Sequence, residues 1–144
     1  MYKIKAMVIE DYNEIINLWK NTEGVGLSGN DDSKKSIRIF LRKNPNTCFV
    51  VEYGKEIIGT IMGGNDGRRG HIYHLTVKPE HRRNGLGKKL LEKTEKALKK
   101  EGIKKMFLVA FKKNKTGNMF WENNGYKTRN DLNYRDKEIH ESKP

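Results

Sequence analysis

Apolar positions along this 144-residue chain change period several times, and each change predicts an element. Tyr2-Lys3-Ile4 opens as a strand. From Asp11 onward the apolar side Ile15, Ile16, Leu18 and Trp19 predicts a helix, and a turn-rich loop follows over 24–33. Ile37, Phe40 and Leu41 mark a second helix, which must end before Pro45. Residues 48–53 and 56–63 predict a hairpin around Gly54-Lys55, after which 63–70 turns the chain into the β-branched and aromatic run Ile72-Tyr73-His74-Leu75-Thr76-Val77. Pro79 stops that strand because it lacks an N–H. Leu86, Leu90, Leu91, Thr94, Ala97 and Leu98 recur at helical spacing from Asn84 or Gly85 to a stop at Gly102. Residues 103–111 read as a further strand, 117–124 as a short helix and 126 onward as a last extended stretch. The polar tail 137–144 is expected to fray.

The resulting order is strand, two helices, three strands, helix, strand, helix, strand, without internal repeats. With 35% hydrophobic residues the chain is sized for one domain over 1–144 and a single core. No apolar stretch reaches the roughly 20 residues that span a bilayer, and the charged N-terminus carries no signal-peptide pattern. A lone Cys48 excludes an internal disulfide and points to a reducing, cytoplasmic setting. Lying in the apolar run Cys48-Phe49-Val50-Val51, it reads as a buried structural thiol. The net charge of +12 is compatible with a nucleic-acid partner, an anionic cofactor or a lysine-rich surface. Lys99-Lys100, Lys104-Lys105 and Lys112-Lys113 disperse it without interleaved aromatics, which weighs against nucleic acid.

The densest chemistry lies between the fourth predicted strand and the long helix, in Val77-Lys78-Pro79-Glu80-His81-Arg82-Arg83-Asn84-Gly85-Leu86-Gly87-Lys88. A helix starting there aims free N–H donors and its positive dipole end at the loop, and glycines admit a phosphate without a Cβ in the way. Arg82, Arg83 and Lys88 add cations. The run matches neither Gly-x4-Gly-Lys-Ser/Thr nor a three-glycine dinucleotide fingerprint.

It resembles instead the central motif of the GNAT N-acetyltransferase superfamily, Arg/Gln-x-x-Gly-x-Gly/Ala after a strand ending Leu-x-Val. Arg82, Gly85 and Gly87 fill the first pattern, behind Leu75-Thr76-Val77. A second patch, 114–126, resembles the family's late motif through Asn114, Trp121, Gly125 and Tyr126, so that the likeness covers essentially 1–135. The resemblance implies an α/β (α+β) fold: a mixed, largely antiparallel sheet flanked by helices, whose two central parallel strands splay to admit the pantetheine arm of acetyl-coenzyme A. It implies cofactor contacts from Leu75, Thr76 and Val77, a pyrophosphate cradle from Arg82, Arg83, Asn84, Gly85, Leu86, Gly87 and Lys88, and a contact from Asn114. No metal is implied.

The reaction implied is direct acetyl transfer from acetyl-coenzyme A to an amine, by a monomer or homodimer. An ammonium must first lose a proton, and charge developing on the acetyl oxygen needs a donor, which a strand N–H near Val77 supplies. Some family members carry the base four residues before the Leu of Leu-x-Val, which here is His71. Strict alternation puts His71, Tyr73, Leu75 and Val77 on one face and His74 on the other, so Tyr73 joins His71 as a catalytic candidate, with His74 or a water relay behind them. Trp121 stands where the family commonly has a Tyr that protonates the leaving thiolate; an indole lacks that acidity but can wall the site or donate a hydrogen bond. The alternative is a non-catalytic acyl-coenzyme A-binding domain whose basic surface contacts RNA or the ribosome. Glu23, Asp31, Asp32 and Asp66 are loop acids that attract a cationic amine or are simply solvated, and the acceptor stays open among protein N-termini, polyamines, antibiotics and amino-acid derivatives.

Overall fold

In the computed structural model, which describes residues 1–140, one five-stranded sheet has helices on both faces. Strands β1 (Tyr2–Ala6), β2 (Cys48–Tyr53), β3 (Glu56–Asn65), β4 (Gly70–Val77) and β5 (Met106–Phe107) lie in that order across the sheet. The first four pair antiparallel and β4 pairs parallel with β5. Helices α1 (Tyr12–Lys20) and α2 (Lys34–Lys43) cover one face, α3 (Leu86–Lys100) covers the other, and α4 (Lys115–Asn123) follows β5.

Two-sided cover explains the unbroken apolar run of β2. Cys48 and Val50 join Ile15, Leu18, Trp19 and Ile37 on the α1–α2 side, while Phe49 and Val51 join Leu86, Leu90 and Leu91 on the α3 side. Burial pushes the Cys48 thiol up to about 12, which removes the thiolate and leaves a structural sulfur.

Gly63 and Gly64, expected at the start of a turn, are strand residues. β3 runs on to Asn65, and the two glycines let one helix approach from each side. A Cβ on Gly63 would lie 2.4 Å from Thr94 Cγ2 of α3 and 2.9 Å from the Thr47 carbonyl, and one on Gly64 would lie 2.7 Å from Phe40 Cζ of α2. The turn proper is centred on Asp66, whose Oδ1 accepts from the N–H groups of Arg68 and Arg69 at 2.8 and 2.9 Å.

The last two expected strands differ most. Of 103–111 only Met106 and Phe107 pair, and no strand is found from 126 to 140. Residues 108–111 have strand-like composition but no partner: Phe111 leans toward Gly26 in the α1–α2 loop, and Val109 and Phe111 stay exposed. Residues 141–144 of the tail expected to fray lie outside the described residues. Gly63→Ala is expected to lower stability by about 1–3 kcal/mol, because the Thr47 carbonyl cannot retreat as a side chain can. Urea denaturation measures the loss; a drop under about 0.5 kcal/mol, the ordinary surface value, would mean that the β3–α3 contact is loose.

Candidate active site

The β4–β5 pairing consists of Gly70 with Met106 and His71 with Phe107, and beyond it the two strands separate. That leaves the C-terminal half of β4 with an open edge. Lys78 donates its N–H to the Ile58 carbonyl on the β3 side at 2.7 Å, so by alternation the Val77 N–H faces the open edge.

A bulge interrupts β4 just before this point. Thr60 pairs with Thr76 and Met62 with Tyr73, leaving Ile61 opposite both His74 and Leu75, with His74 at φ 48°. The bulge overturns the expected division of faces. His74 joins His71 and Tyr73 on the α1–α2 side, its ring 4.4 Å from Trp19, whereas Leu75 and Val77 pack with the Leu86, Leu90 and Leu91 cluster on the α3 side.

His71 and Tyr73 come together as the sequence suggested, their rings stacked 4.0 Å apart and 9° from parallel. Tyr73 meets Phe40 edge-on at 5.8 Å and is 41% exposed, so it rims the cleft between α2 and β4. Burial raises its phenol, keeping it protonated at neutral pH. His71 also packs on Phe107 at 4.4 Å, and its Nε2 is sealed from solvent with no hydrogen-bond partner. Desolvation lowers its pKa. Trp121 lies apart from both, edge-on to Phe120 and Tyr126 in the packing on the α3 side.

The loop before α3 has the chemistry of an anion cradle. Its first intrahelical bond runs from Lys89 N–H to the Gly85 carbonyl, so the N–H groups of Gly85, Leu86, Gly87 and Lys88 have no helical acceptor. Arg83 at φ 68° and Gly85 at φ 72° fold the approach to the helix, and its first turn carries no acidic side chain. Arg82 Nε donates to the Val77 carbonyl at 3.0 Å, tying the loop to the strand end. Asn84 Nδ2 donates to the His81 carbonyl at 3.0 Å and to Tyr2 Oη at 3.2 Å, and that hydroxyl lies 3.0 Å from His81 Nδ1. Asn84 thus acts as the brace of the cradle. Tyr2, 82 residues away, is a member that local sequence signals do not reveal. Leu86 contributes only its backbone, because its side chain is buried in the core.

The two glycines do different things. A Cβ on Gly85 would meet nothing within 4 Å, so glycine serves φ there; one on Gly87 would point at the Phe120 ring, 3.4 Å away, rather than into open space. Asn114 is the N-cap of α4, accepting from the Gly117 N–H at 3.0 Å, with its amide turned toward Gly24. Cys48, His71 and the loop acids form no metal site: among the described residues no three His, Cys, Asp or Glu side chains converge as ligands.

Residues 12–126 match the Acetyltransferase (GNAT) family. The chain belongs to that family. It is 36% identical over 107 residues to an acetyltransferase of Photorhabdus laumondii, spanning 74% of this chain and 73% of that protein. It is 34% identical over 107 residues to one of Sodalis glossinidius, spanning 74% of each. The PaiA N-acetyltransferase of Thermoplasma acidophilum, solved in complex with coenzyme A, superposes with a TM-score of 0.76 at 25% identity over 90% of this chain and 91% of its own. This GNAT protein is therefore an acetyl-coenzyme A-dependent acyltransferase on a mixed α/β fold, and the helix start, open edge and cations fit an anionic, strand-like cofactor. No helix of the described residues is long and apolar enough to cross a membrane.

Gly85→Ala should cost about 1–2 kcal/mol, the left-handed penalty alone, whereas Gly87→Ala should leave stability equal or raise it by up to about 1 kcal/mol. Urea melts of the two variants compare them, and equal losses would contradict the distinction. His71 takes up a proton less readily folded than unfolded, so its contribution to stability is complete above about pH 6.5 and is lost as pH falls through its lowered folded value. Wild type should lose more stability between pH 7 and pH 5 than His71→Phe, which keeps the stack on Tyr73 and Phe107; parallel losses would remove His71 as their source.

Proposed function

We propose that this acyltransferase is an N-acetyltransferase that moves the acetyl group of acetyl-coenzyme A to a primary amine held in the cleft between α2 and β4. The parting of β4 from β5 after His71 and Phe107 carries the reading, since it exposes backbone donors between a cationic helix start and a cleft that holds acids. In this reading Leu75 and Val77 bind the cofactor through their main chain, Thr76 between them turns its own N–H and carbonyl to β3, and the open-edge N–H of Val77 faces the acetyl oxygen as charge builds on it. The N–H groups of Gly85, Leu86, Gly87 and Lys88 hold the pyrophosphate with Arg82, Arg83 and Lys88 around them, and Asn84 keeps the loop in shape. Asn114 contacts the pantetheine side through the amide nitrogen that its capping oxygen leaves over. Acetyl-coenzyme A, when bound, supplies the activated acetyl group.

Of the three side chains expected at the chemistry, Tyr73 rims the acceptor cleft, with a phenol that burial keeps protonated. His71 acts as a positioning residue beneath it, because its Nε2 is sealed and its ring packs on both Tyr73 and Phe107. Trp121 packs the α3 side of the cofactor groove, and the coenzyme A thiolate leaves without a dedicated acid from that position.

Acetyl-coenzyme A at 100 times its dissociation constant should stabilise the protein by about 2.7 kcal/mol, read as a rise in Tm. Thiol release should then depend on an added amine. A Tm unmoved by millimolar acetyl-coenzyme A would refute the cradle, and thiol release at the same rate with and without amines would refute amine transfer.

A further inference from the structure

The cleft between α2 and β4 has a volume of about 370 Å³, and it brings together two residues that the sequence offers separately, His74 as an alternative base and Asp32 as a loop acid. His74 Nε2 lies 2.8 Å from Asp32 Oδ1, across 42 residues of chain, and both side chains are nearly buried at 11% and 9% exposure. A carboxylate only accepts, so Nε2 carries the hydrogen and the lone pair of a neutral imidazole falls on Nδ1. No protein donor engages that lone pair among the described residues.

The pair is held from several directions. Asp32 Oδ2 accepts from the Ser28 N–H at 2.8 Å, and the Asp32 carbonyl accepts from Tyr12 Oη at 2.6 Å. The His74 ring lies 4.4 Å from the Trp19 ring, whose Nε1 donates to Thr60 Oγ1; that hydroxyl donates in turn to the His74 carbonyl at 2.8 Å. The backbone of His74 is left-handed at φ 48°, a conformation that persists only where the surroundings enforce it and that recurs at functional sites. A histidine with one nitrogen fixed by a buried carboxylate and the other free has the arrangement of a proton acceptor.

Resting on the acetyl-transfer reading, we propose that His74, oriented by Asp32, takes the proton from the acceptor ammonium in this cleft. The N–H bond of the ammonium breaks and an Nδ1–H bond forms, leaving an imidazolium facing the Asp32 carboxylate and an amine lone pair free to form the C–N bond to the acetyl carbon. The thiolate of coenzyme A leaves with the C–S electron pair and takes up the second proton, which the nitrogen gives up as the C–N bond forms. The products are a neutral amide and the coenzyme A thiol. His74 is then a catalytic residue and Asp32 a positioning residue. Asp31, also lining the cleft and in no ion pair among the described residues, brings the acids there to two against the one cation Lys43, a balance that still favours a cationic acceptor, while Ile37, Ile39, Phe40 and Met62 give the walls an apolar character.

The test uses the full chain with phenylethylamine, spermidine and an alanyl peptide as acceptors, taking whichever wild type acetylates fastest. His74→Gln should lower kcat roughly 100-fold or more while keeping the Tm rise with acetyl-coenzyme A. His74→Asn, which tolerates the left-handed backbone, should do the same if His74→Gln folds poorly. Asp32→Asn presents an amide donor to Nε2, so long-range 1H–15N spectra should show the hydrogen moved to Nδ1 and kcat should fall with little change in amine KM; a moved tautomer with kcat unchanged would overturn the inference, because Nδ1 would then carry a hydrogen and could not accept the proton. Retained kcat in His74→Gln and His74→Asn would overturn the inference, as would an Nδ1–H tautomer in wild type. If the Tm rise is present but no amine is acetylated, amine transfer and this inference fail together; if the Tm rise is absent, the cofactor cradle has failed first.

Discussion

The bulge at His74 is the constraint on which the site depends. Inserting one extra residue opposite Ile61 reverses the alternation of β4 part-way along it. Upstream of the bulge His71 and Tyr73 face α2; downstream Leu75 and Val77 face α3. A regular strand would send Leu75 into the cleft and His74 to the α3 side among the Leu86, Leu90 and Leu91 cluster, leaving an unpaired imidazole in apolar surroundings. The left-handed φ of His74 costs about 1–3 kcal/mol, and the relay from Trp19 through Thr60 to the His74 carbonyl, with the bond to Asp32, offsets it. The same kink comes just before Val77, whose N–H faces the open edge, so one irregularity shapes both the α2 cleft and the gap between β4 and β5.

That irregularity is tolerable because the rest of the sheet is held tightly from both faces. Gly63 and Gly64 remove side chains where Thr94 and Phe40 press closest, which brings α3 and α2 down onto β3 and fixes the frame beside β4. Gly59, lower on the same strand, leaves room for the Thr76 carbonyl at 3.2 Å from where its Cβ would stand. The strand is thus glycine-rich for packing rather than for turning. Period-2 reasoning treats glycine as punctuation, and so it ends β3 two residues early.

Local features were legible in the chain and non-local ones were not. Strand, basic loop and helix lie within about 30 residues at 72–100, each with its own signal, and the cradle follows from them directly. Ser33 capping α2 through the Ser36 N–H and Asn114 capping α4 are equally local, though the sequence alone places the first in a loop and offers the second as a cofactor contact. The Asp32–His74 pair joins a loop to a bulge, and no spacing rule couples them. Tyr2 beneath Asn84 and His81 is hidden for the same reason. The missing ladder at 108–111 fails differently: Leu108, Val109 and Phe111 suit a strand, but a strand needs a neighbour, and β4 has already turned away.

Charge completes the argument. The lysines that give +12 are spread over exposed helix and loop positions, where salt screens them beyond about 8–10 Å, so net charge alone does not locate a ligand. Position does. Arg82, Arg83 and Lys88 gather at the start of a 15-residue helix with no acid in its first turn, whereas Asp31 and Asp32 stand at the cleft on the α2 side of the same strand. An anionic cofactor and a cationic acceptor placed at one strand would otherwise compete for the same field. In the proposed transfer, cations where β4 ends and carboxylates against its bulge would give each substrate its own attraction, with the uncharged backbone of residues 75–77 between them. The reacting atoms would meet between these two groups of charges, and the proton leaving an ammonium would be drawn toward the carboxylate side, away from the cations at the start of α3.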